Sequence, residues 1–465
     1  MIGKFIARLF KRAPPAVAAR EDALRVYKLP QHGISRDKLS RCALRVTDQL
    51  RDAGYKAYVV GGAVRDLLVG SQPKDFDVAT NATPDQIRKV IRRSRVIGRR
   101  FQIVHALCGD EVVEVSTFRA HQVDAEEDDR HTDQHGRLLR DNVFGTMPED
   151  ALRRDFTANA LFYDPATEEV LDFCNGVADI RARTLRIIGD PAVRYREDPV
   201  RMLRGVRFAA KLGFELDPAT RAPIGALADL LANVPPSRLF DEMLKLLLSG
   251  HALDCVTRLR REGLHHGLLP LLDVILEQPQ GERFVTLALR TTDERIAQDK
   301  PVSPAFLFAA LFWHPMKTLW QKHEAAGMRP AQAMHEAMDE VLEDQRKHLA
   351  VPRRLDAGIK ELWLSQPRFL QRSKVKAFRN LSHPRFRACY DFFELRASAG
   401  DADPEVAHWW EKFQFAEEDE REAMLLPDDE PRKKRRRRGK KSGGASSAGP
   451  ENGANMGPDH DPQSE

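Results

Sequence analysis

Leu39, Cys42, Val46 and Leu50 recur every three or four residues, and this spacing predicts an amphipathic helix over Ser35–Ala53 with Ser35 as its N-cap. The pattern then changes to short β-rich runs at Ala57–Val60, Asp75–Val78, Ile103–Cys108 and Val112–Thr117, parted by turns that contain Gly or Pro. Residues 55–165 therefore read as a mixed α/β unit, within which the strongly polar stretch 121–140 reads as a mobile loop. From Pro199 onward the apolar period is helical almost throughout, with long runs at 236–250 and 331–349. Beyond about residue 426 apolar residues give way to Pro, Gly, Ser and charge, which predicts disorder.

A chain of 465 residues exceeds a single compact core and suggests about three domains. No apolar run approaches the roughly 18 residues of a membrane span. The five cysteines, Cys42, Cys108, Cys174, Cys255 and Cys389, form no CxxC pair. That argues against a zinc knuckle or a disulfide framework and fits a reducing cytoplasm.

Charge changes the picture once it is located. Five cations lie in residues 1–20, nine in 432–441, and four acids without a cation in 442–465, so the net +5 leaves residues 21–431 at about −5. A mildly acidic body with basic ends suits a polyanionic partner. At the N-terminus Ile2, Phe5, Ile6, Leu9 and Phe10 share a helical face ringed by Lys4, Arg8, Lys11 and Arg12. The pattern suits a transit peptide or a membrane-surface helix, but a plain basic extension ended by Pro14-Pro15 is the expectation.

Chemistry concentrates in three places. Tyr58-Val59-Val60-Gly61-Gly62 runs a strand into two glycines that let a phosphate come close, and Arg65 follows on a helix. Asp75 and Asp77, two apart on the next strand, share a face and make a hard-oxygen site suited to Mg²⁺. Glu114 is an acid within the apolar strand Val112-Val113-Glu114-Val115, costly to bury unless it is paired or binds metal. In Arg153-Arg154-Asp155-Phe156-Thr157-Ala158-Asn159 two arginines flank an acid, a set suited to ribose or triphosphate. In Glu197-Asp198-Pro199-Val200-Arg201, Asp198 reads as an N-cap and Pro199 as the first helical residue. Arg201, Arg204, Arg207 and Lys211 then make one basic stripe, and Asp198 with Arg201 can read a base edge as a complementary base would. Each pattern alone is ordinary; their order and proximity are not.

Together these motifs, over roughly residues 55–215, resemble the class II polymerase-β-like nucleotidyltransferases, the family of CCA-adding enzymes and bacterial poly(A) polymerases. Leu171-Asp172-Phe173, Gly176 and Asp179 are similar to its head-to-neck linker. Val96-Ile97-Gly98-Arg99-Arg100-Phe101-Gln102-Ile103-Val104-His105 and the arginine-rich extension resemble the poly(A) branch. His265-His266 is followed by no phosphohydrolase pattern and reads as structural.

The resemblance implies an α+β fold: an extension (1–34), a nucleotidyltransferase head with a small mixed sheet (35–165), a helical neck (166–235) and body (236–425), and a disordered basic tail (426–465). It makes Asp75 and Asp77 catalytic acids that hold two Mg²⁺ ions, Mn²⁺ serving as a substitute; the third acid falls on Asp155 or Glu114, with Asp155 taken as catalytic and Glu114 as a metal ligand. Gly61, Gly62, Arg65, Arg154, Asp198, Arg201 and Arg204 would bind the nucleotide. The implied reaction is template-independent addition of AMP from ATP to RNA 3′ ends of mRNA and other transcripts, with RNA-decay or RNA-chaperone proteins as further partners. A cytoplasmic site is implied, the N-terminal segment offering peripheral membrane contact. The rival is a CCA-adding tRNA nucleotidyltransferase; a non-catalytic RNA-binding protein is disfavoured because both Asp75 and Asp77 are present.

Overall fold

The computed structural model describes residues 24–98, 102–120, 144–265 and 279–427. The N-terminal segment, the polar loop 121–140 and the basic run 432–441 all lie outside them, as do Arg99, Arg100 and Phe101.

Eight strands form one sheet: β1 (Arg25–Tyr27), β2 (Ala57–Val60), β3 (Asp77–Thr80), β4 (Ser94–Ile97), β5 (Ile103–Cys108), β6 (Glu111–Thr117), β7 (Leu161–Asp164) and β8 (Glu169–Asp172), in the order β1-β8-β7-β2-β3-β6-β5-β4. The β3–β6 junction is parallel and the other junctions are antiparallel. The sheet thus reaches beyond the expected head, to Arg25 on one side and Asp172 on the other. A three-residue strand such as β1 carries no period for a sequence to display.

Helix α1 (Arg41–Asp52) crosses one face of the sheet. It starts later than expected because Ser40, not Ser35, is its N-cap, its hydroxyl accepting the Ala43 N–H at 3.0 Å. Ser35 instead precedes one 3₁₀ turn, Arg36–Lys38, which ends at an extended Leu39. The cysteines depart from expectation too. Cys42 on α1 and Cys108 at the end of β5 are joined by a disulfide, with Cα atoms 5.8 Å apart and 66 residues between them. That contact arises from packing α1 on the sheet, which no cysteine spacing reveals.

Helix α2 (Gly62–Leu68) follows β2 directly. The chain then passes through α3 (Gly176–Arg181), α4 (Pro191–Glu197) and α5 (Val200–Leu212) to α6 (Pro236–Leu247), and every described element beyond α6 is helical, the last ending at Met424. One apolar core runs from Val46 and Val64 in the sheet layer through Leu203 and Val206 to Trp313 and Trp410. A smaller cluster of Tyr58, Val60, Phe118 and Phe162 covers the other sheet face, so β2 is buried on both sides. None of the described helices is long and apolar enough to cross a membrane.

The head-to-neck linker has a physical reason for its residues. Buried Asp172 accepts the N–H groups of Cys174, Gly176 and Val177, each at 3.0 Å, and so turns the chain from β8 into α3. Asp179 accepts the Thr157 hydroxyl at 2.7 Å. At Gly176 an added Cβ would stand 2.2 Å from the Thr157 carbonyl oxygen, so only glycine allows this backbone approach.

Gly176→Ala should therefore lower stability by about 2 kcal/mol or more. Gly225→Ala, with nothing within 4 Å of the new Cβ and in a helix, should be neutral or slightly stabilising. Thermal unfolding of both variants checks this; equal midpoints would contradict the linker's tight packing.

Candidate active site

Where β2 ends, Gly61 adopts φ 69 and ψ −124, a conformation L side chains avoid, and a Cβ there would meet Arg154 Nη1 at 3.1 Å. The turn opens α2 against a cleft of about 660 Å³. The cleft brings together Asp75 and Asp77 from the head, Arg154 and Asp155 from the segment before β7, Asp198 and Arg201 from the neck, and Arg238 and Lys245 from α6.

Asp77 opens β3, while Asp75 lies just before the strand rather than on it. Phe76 between them is buried and both acids are exposed, so they do share a face. Glu114 is Asp77's register partner on β6 and is likewise exposed, with His105 Nε2 3.5 Å from its carboxylate. Asp77 is open to solvent at the cleft mouth yet largely surrounded by protein. Burial raises its pKa to about 6, with help from Glu114 and Asp75 and against the pull of Arg154. Among the described residues no three acids, histidines or cysteines already close on a common point. The carboxylates converge without forming a finished metal shell.

Asp155 stands differently from a metal-binding acid. Oδ2 accepts from Arg204 Nε at 2.8 Å and Nη2 at 2.6 Å, and Oδ1 from Phe156 N at 2.7 Å and Asn159 Nδ2 at 3.0 Å. Those four bonds use up the lone pairs of a carboxylate. Burial would raise the Asp155 pKa, but the Arg204 charge and these hydrogen bonds take it down to about 2. Arg204, expected to bind nucleotide, is committed to that pair.

Several other expected ligands also have protein partners. Arg65 is buried, donates to Asn159 Oδ1 and Asp66 Oδ1, and lies over the Phe208 ring at 5.0 Å, forming the cleft floor. Arg154 donates to Asp150 Oδ2 at 2.9 Å and to the Asn159 carbonyl at 3.3 Å. Asp150 is fully buried; its pKa, which burial would raise, is lowered by Arg154 and Arg153. Asp198 and Arg201 face the cleft but are not joined. Arg238 donates to Asp198 Oδ2 at 2.6 Å, and Arg201 donates to Glu197 Oε2 at 2.9 Å. Asp198 sits between α4 and α5, one residue earlier than a cap should; α5 begins at Val200, whose N–H reaches Asp198 Oδ1 at 3.3 Å.

Unassigned by sequence were Lys74, Arg207, Phe208, Lys211, Arg238 and Lys245, all on the cleft wall. Arg207 and Lys211 belong to the basic stripe already visible on α5. Arg238 and Lys245 are seven apart on α6 and so share a helical face, a signal present but unread.

Arg204→Ala should cost about 3 kcal/mol at pH 7, because it strands a buried carboxylate. Asp155 titrates near 2 when folded and near 4 when unfolded. The pair therefore stabilises the fold above pH about 4 and stops doing so as pH falls towards 2. Urea unfolding at pH 7 and pH 3 should show the gap between variant and wild type shrinking on acidification; a constant gap contradicts the ion-pair account.

Comparison with known proteins agrees with this geometry. Residues 57–186 match the poly A polymerase head domain, 213–276 the probable RNA and SrmB-binding site of polymerase A, and 326–442 the polymerase A arginine-rich C-terminus. The chain is 38% identical over 207 residues to a CCA-adding enzyme of Streptococcus pneumoniae, covering 44% of this chain and 50% of that one. The Bacillus stearothermophilus CCA-adding enzyme in complex with CTP superposes with a TM-score of 0.55 at 26% identity, over 81% of this chain and 82% of the other. Poly(A) polymerase I of Salmonella typhi is 44% identical over 430 residues, 90% of this chain and 92% of the relative. An identity of that size along nearly both whole chains, with the head acids and neck arginines on one cleft, means that the chain belongs to the bacterial poly(A) polymerase I family of nucleotidyltransferases.

Proposed function

We propose that this cleft joins the RNA 3′-hydroxyl oxygen to the α-phosphorus of ATP without a template. The bond from that phosphorus to the β-bridging oxygen breaks, pyrophosphate leaves, and the hydroxyl proton passes to solvent. The observation that carries this reading is the convergence of acids from the head, a base-reading pair from the neck and cations from the body on one cleft. Positioning and charge stabilisation suffice for phosphoryl transfer, so no protein nucleophile is needed.

Asp75, Asp77 and Glu114 are the residues that would hold Mg²⁺, with Mn²⁺ as a substitute. Their hard oxygens fit such an ion, and a cation would relieve the crowding that holds Asp77 near pKa 6. Held by these residues, such ions would supply Lewis acidity toward the 3′-hydroxyl and charge neutralisation for pyrophosphate. Gly61 and Gly62 let the triphosphate approach α2, and Lys74, Arg154 and Lys211 supply positive charge to it. Arg65 with Asn159 supports that cradle from below. Asp155 acts through Arg204 as a positioning residue, holding the neck against the head.

Asp198 accepts and Arg201 donates, which suits a base offering an amino group beside a ring-nitrogen acceptor. Adenine and cytosine both present that order, whereas guanine and uracil reverse it. The pair therefore excludes GTP and UTP but does not separate ATP from CTP. The choice of ATP is supported by the family: the poly(A) polymerase I relative is 44% identical over 90% of this chain, and the Streptococcus pneumoniae CCA-adding enzyme matches in sequence over 44% of it.

The test offers purified protein an unstructured oligoribonucleotide, or a tRNA lacking its CCA end, with each NTP separately and Mg²⁺. Long ladders on the oligoribonucleotide with ATP, little product with GTP or UTP, and at least a thousand-fold loss in Asp77→Ala are expected. Addition confined to the tRNA, requiring CTP and stopping after a complete CCA end, would replace this reading with the CCA-adding one.

A further inference from the structure

Far along the chain from the catalytic cleft, a second cleft of about 290 Å³ opens in the helical body between helices Asp356–Ser365 and Phe386–Ala399. Leu364 and Phe386 give it an apolar wall, Ser365 and Asn380 a polar one, and Arg368 a cation. Asn380 is buried, and its Nδ2 has no hydrogen-bond partner among the described residues. The one acid on the wall, Glu361, is already met by Arg385 at 3.0 Å and His383 at 3.6 Å.

The surroundings are unusual in charge. Residues 366–387 hold seven Lys or Arg and no acid. Lys374, Arg385 and Arg387 pair with Glu422, Glu361 and Asp391. Arg368, Lys376 and Arg379 are exposed and form no ion pair with a described residue. Leu370 and Val375 stand beside them with 61% and 65% of their surface in solvent. Unpaired cations cost little on a surface, but cations next to exposed apolar side chains and a small half-apolar cleft are what single-stranded nucleic acid binding requires. One set of groups tracks phosphates while a flat apolar wall takes a base. The cleft is at the small end of ligand sites, which start at roughly 300 Å³, and suits one nucleotide rather than a duplex.

We propose that this cleft is a second RNA contact, holding one nucleotide of the single-stranded primer upstream of its 3′ end. The base lies against the Leu364–Phe386 wall with its polar edge at Asn380 and Ser365. Arg368 takes its phosphate, and Lys376 and Arg379 take neighbouring ones. Charge favours RNA over a protein: the free groups are all cationic, and the substrate is a polyanion. This contact presupposes that RNA is the substrate, and it makes affinity depend on primer length.

The test uses the full chain and a graded series of oligo(A) lengths, comparing wild type with Arg368→Ala/Lys376→Ala/Arg379→Ala, three exposed positions outside the catalytic cleft. In wild type KM should fall once the primer is long enough to reach the body. In the triple variant that fall should vanish, raising KM for long primers on the order of ten-fold, while kcat and all kinetics on the shortest primer stay unchanged. The slope of log affinity against log salt for long RNA should become shallower by about 2, at roughly 0.7 per single-strand phosphate contact. The same length dependence and salt slope in both proteins would overturn the contact and leave the patch to an acidic protein. A wild type that extends no primer of any length would overturn the activity itself, and this contact with it.

Discussion

The ion pair between Asp155 and Arg204 sets the geometry on which the rest of the cleft depends. Asp155 lies in the segment that leads to β7, and Arg204 lies one turn into α5. Their two short bonds fix the distance between the wall that carries Asp75 and Asp77 and the wall that carries Asp198 and Arg201. Arg194 strengthens the same joint: nearly buried on α4, it donates to the Arg153 carbonyl at 2.7 Å and the Arg154 carbonyl at 2.5 Å. Burying charge in this way is costly unless every partner is present. Both oxygens of Asp155 have their partners, so the two layers meet in one register.

Electrostatics then sorts the cleft. Negative charge collects around the start of β3, where burial, with Glu114 and Asp75 adding to it, raises the Asp77 pKa to about 6. Positive charge collects from Arg154, ahead of β7, through Arg207 and Lys211 on α5 to Lys245 on α6. In the proposed reaction a nucleoside triphosphate carrying divalent cations would complement both at once. Asp198 and Arg201 rest on Arg238 and Glu197, so in the proposed role base binding would exchange one set of charge-assisted bonds for another.

Much of this was legible before any coordinate. The alternation around Phe76 placed Asp75 and Asp77 on one face, the apolar run gave β2 its bounds, and the stripe from Arg201 to Lys211 did turn to one side. What stayed hidden depends on contacts distant in sequence. Glu114 joins Asp77 only because β6 pairs parallel with β3, and the Cys42–Cys108 bond only because α1 lies on the sheet. The partners of Asp155 were hidden for the same reason. Its arginine neighbours in sequence, Arg153 and Arg154, turn to Asp150, and its partner arrives from 49 residues away. Local pattern reports which groups are chemically able; only packing reports which of them are already engaged.

That distinction is sharpest at the two acids, and kinetics can separate them. Asp77→Asn and Asp155→Asn remove the same charge by the same isosteric change, one at the open cluster and one inside the saturated joint. The account predicts that Asp77→Asn abolishes kcat with little change in stability at pH 7. It predicts that Asp155→Asn keeps measurable kcat, raises KM for ATP and lowers the unfolding midpoint by several degrees. The decisive measurement is kcat and KM for ATP in both variants beside their thermal unfolding. Loss of kcat in Asp155→Asn as complete as in Asp77→Asn, with an unchanged midpoint, would contradict the positioning role and restore Asp155 to the catalytic acids.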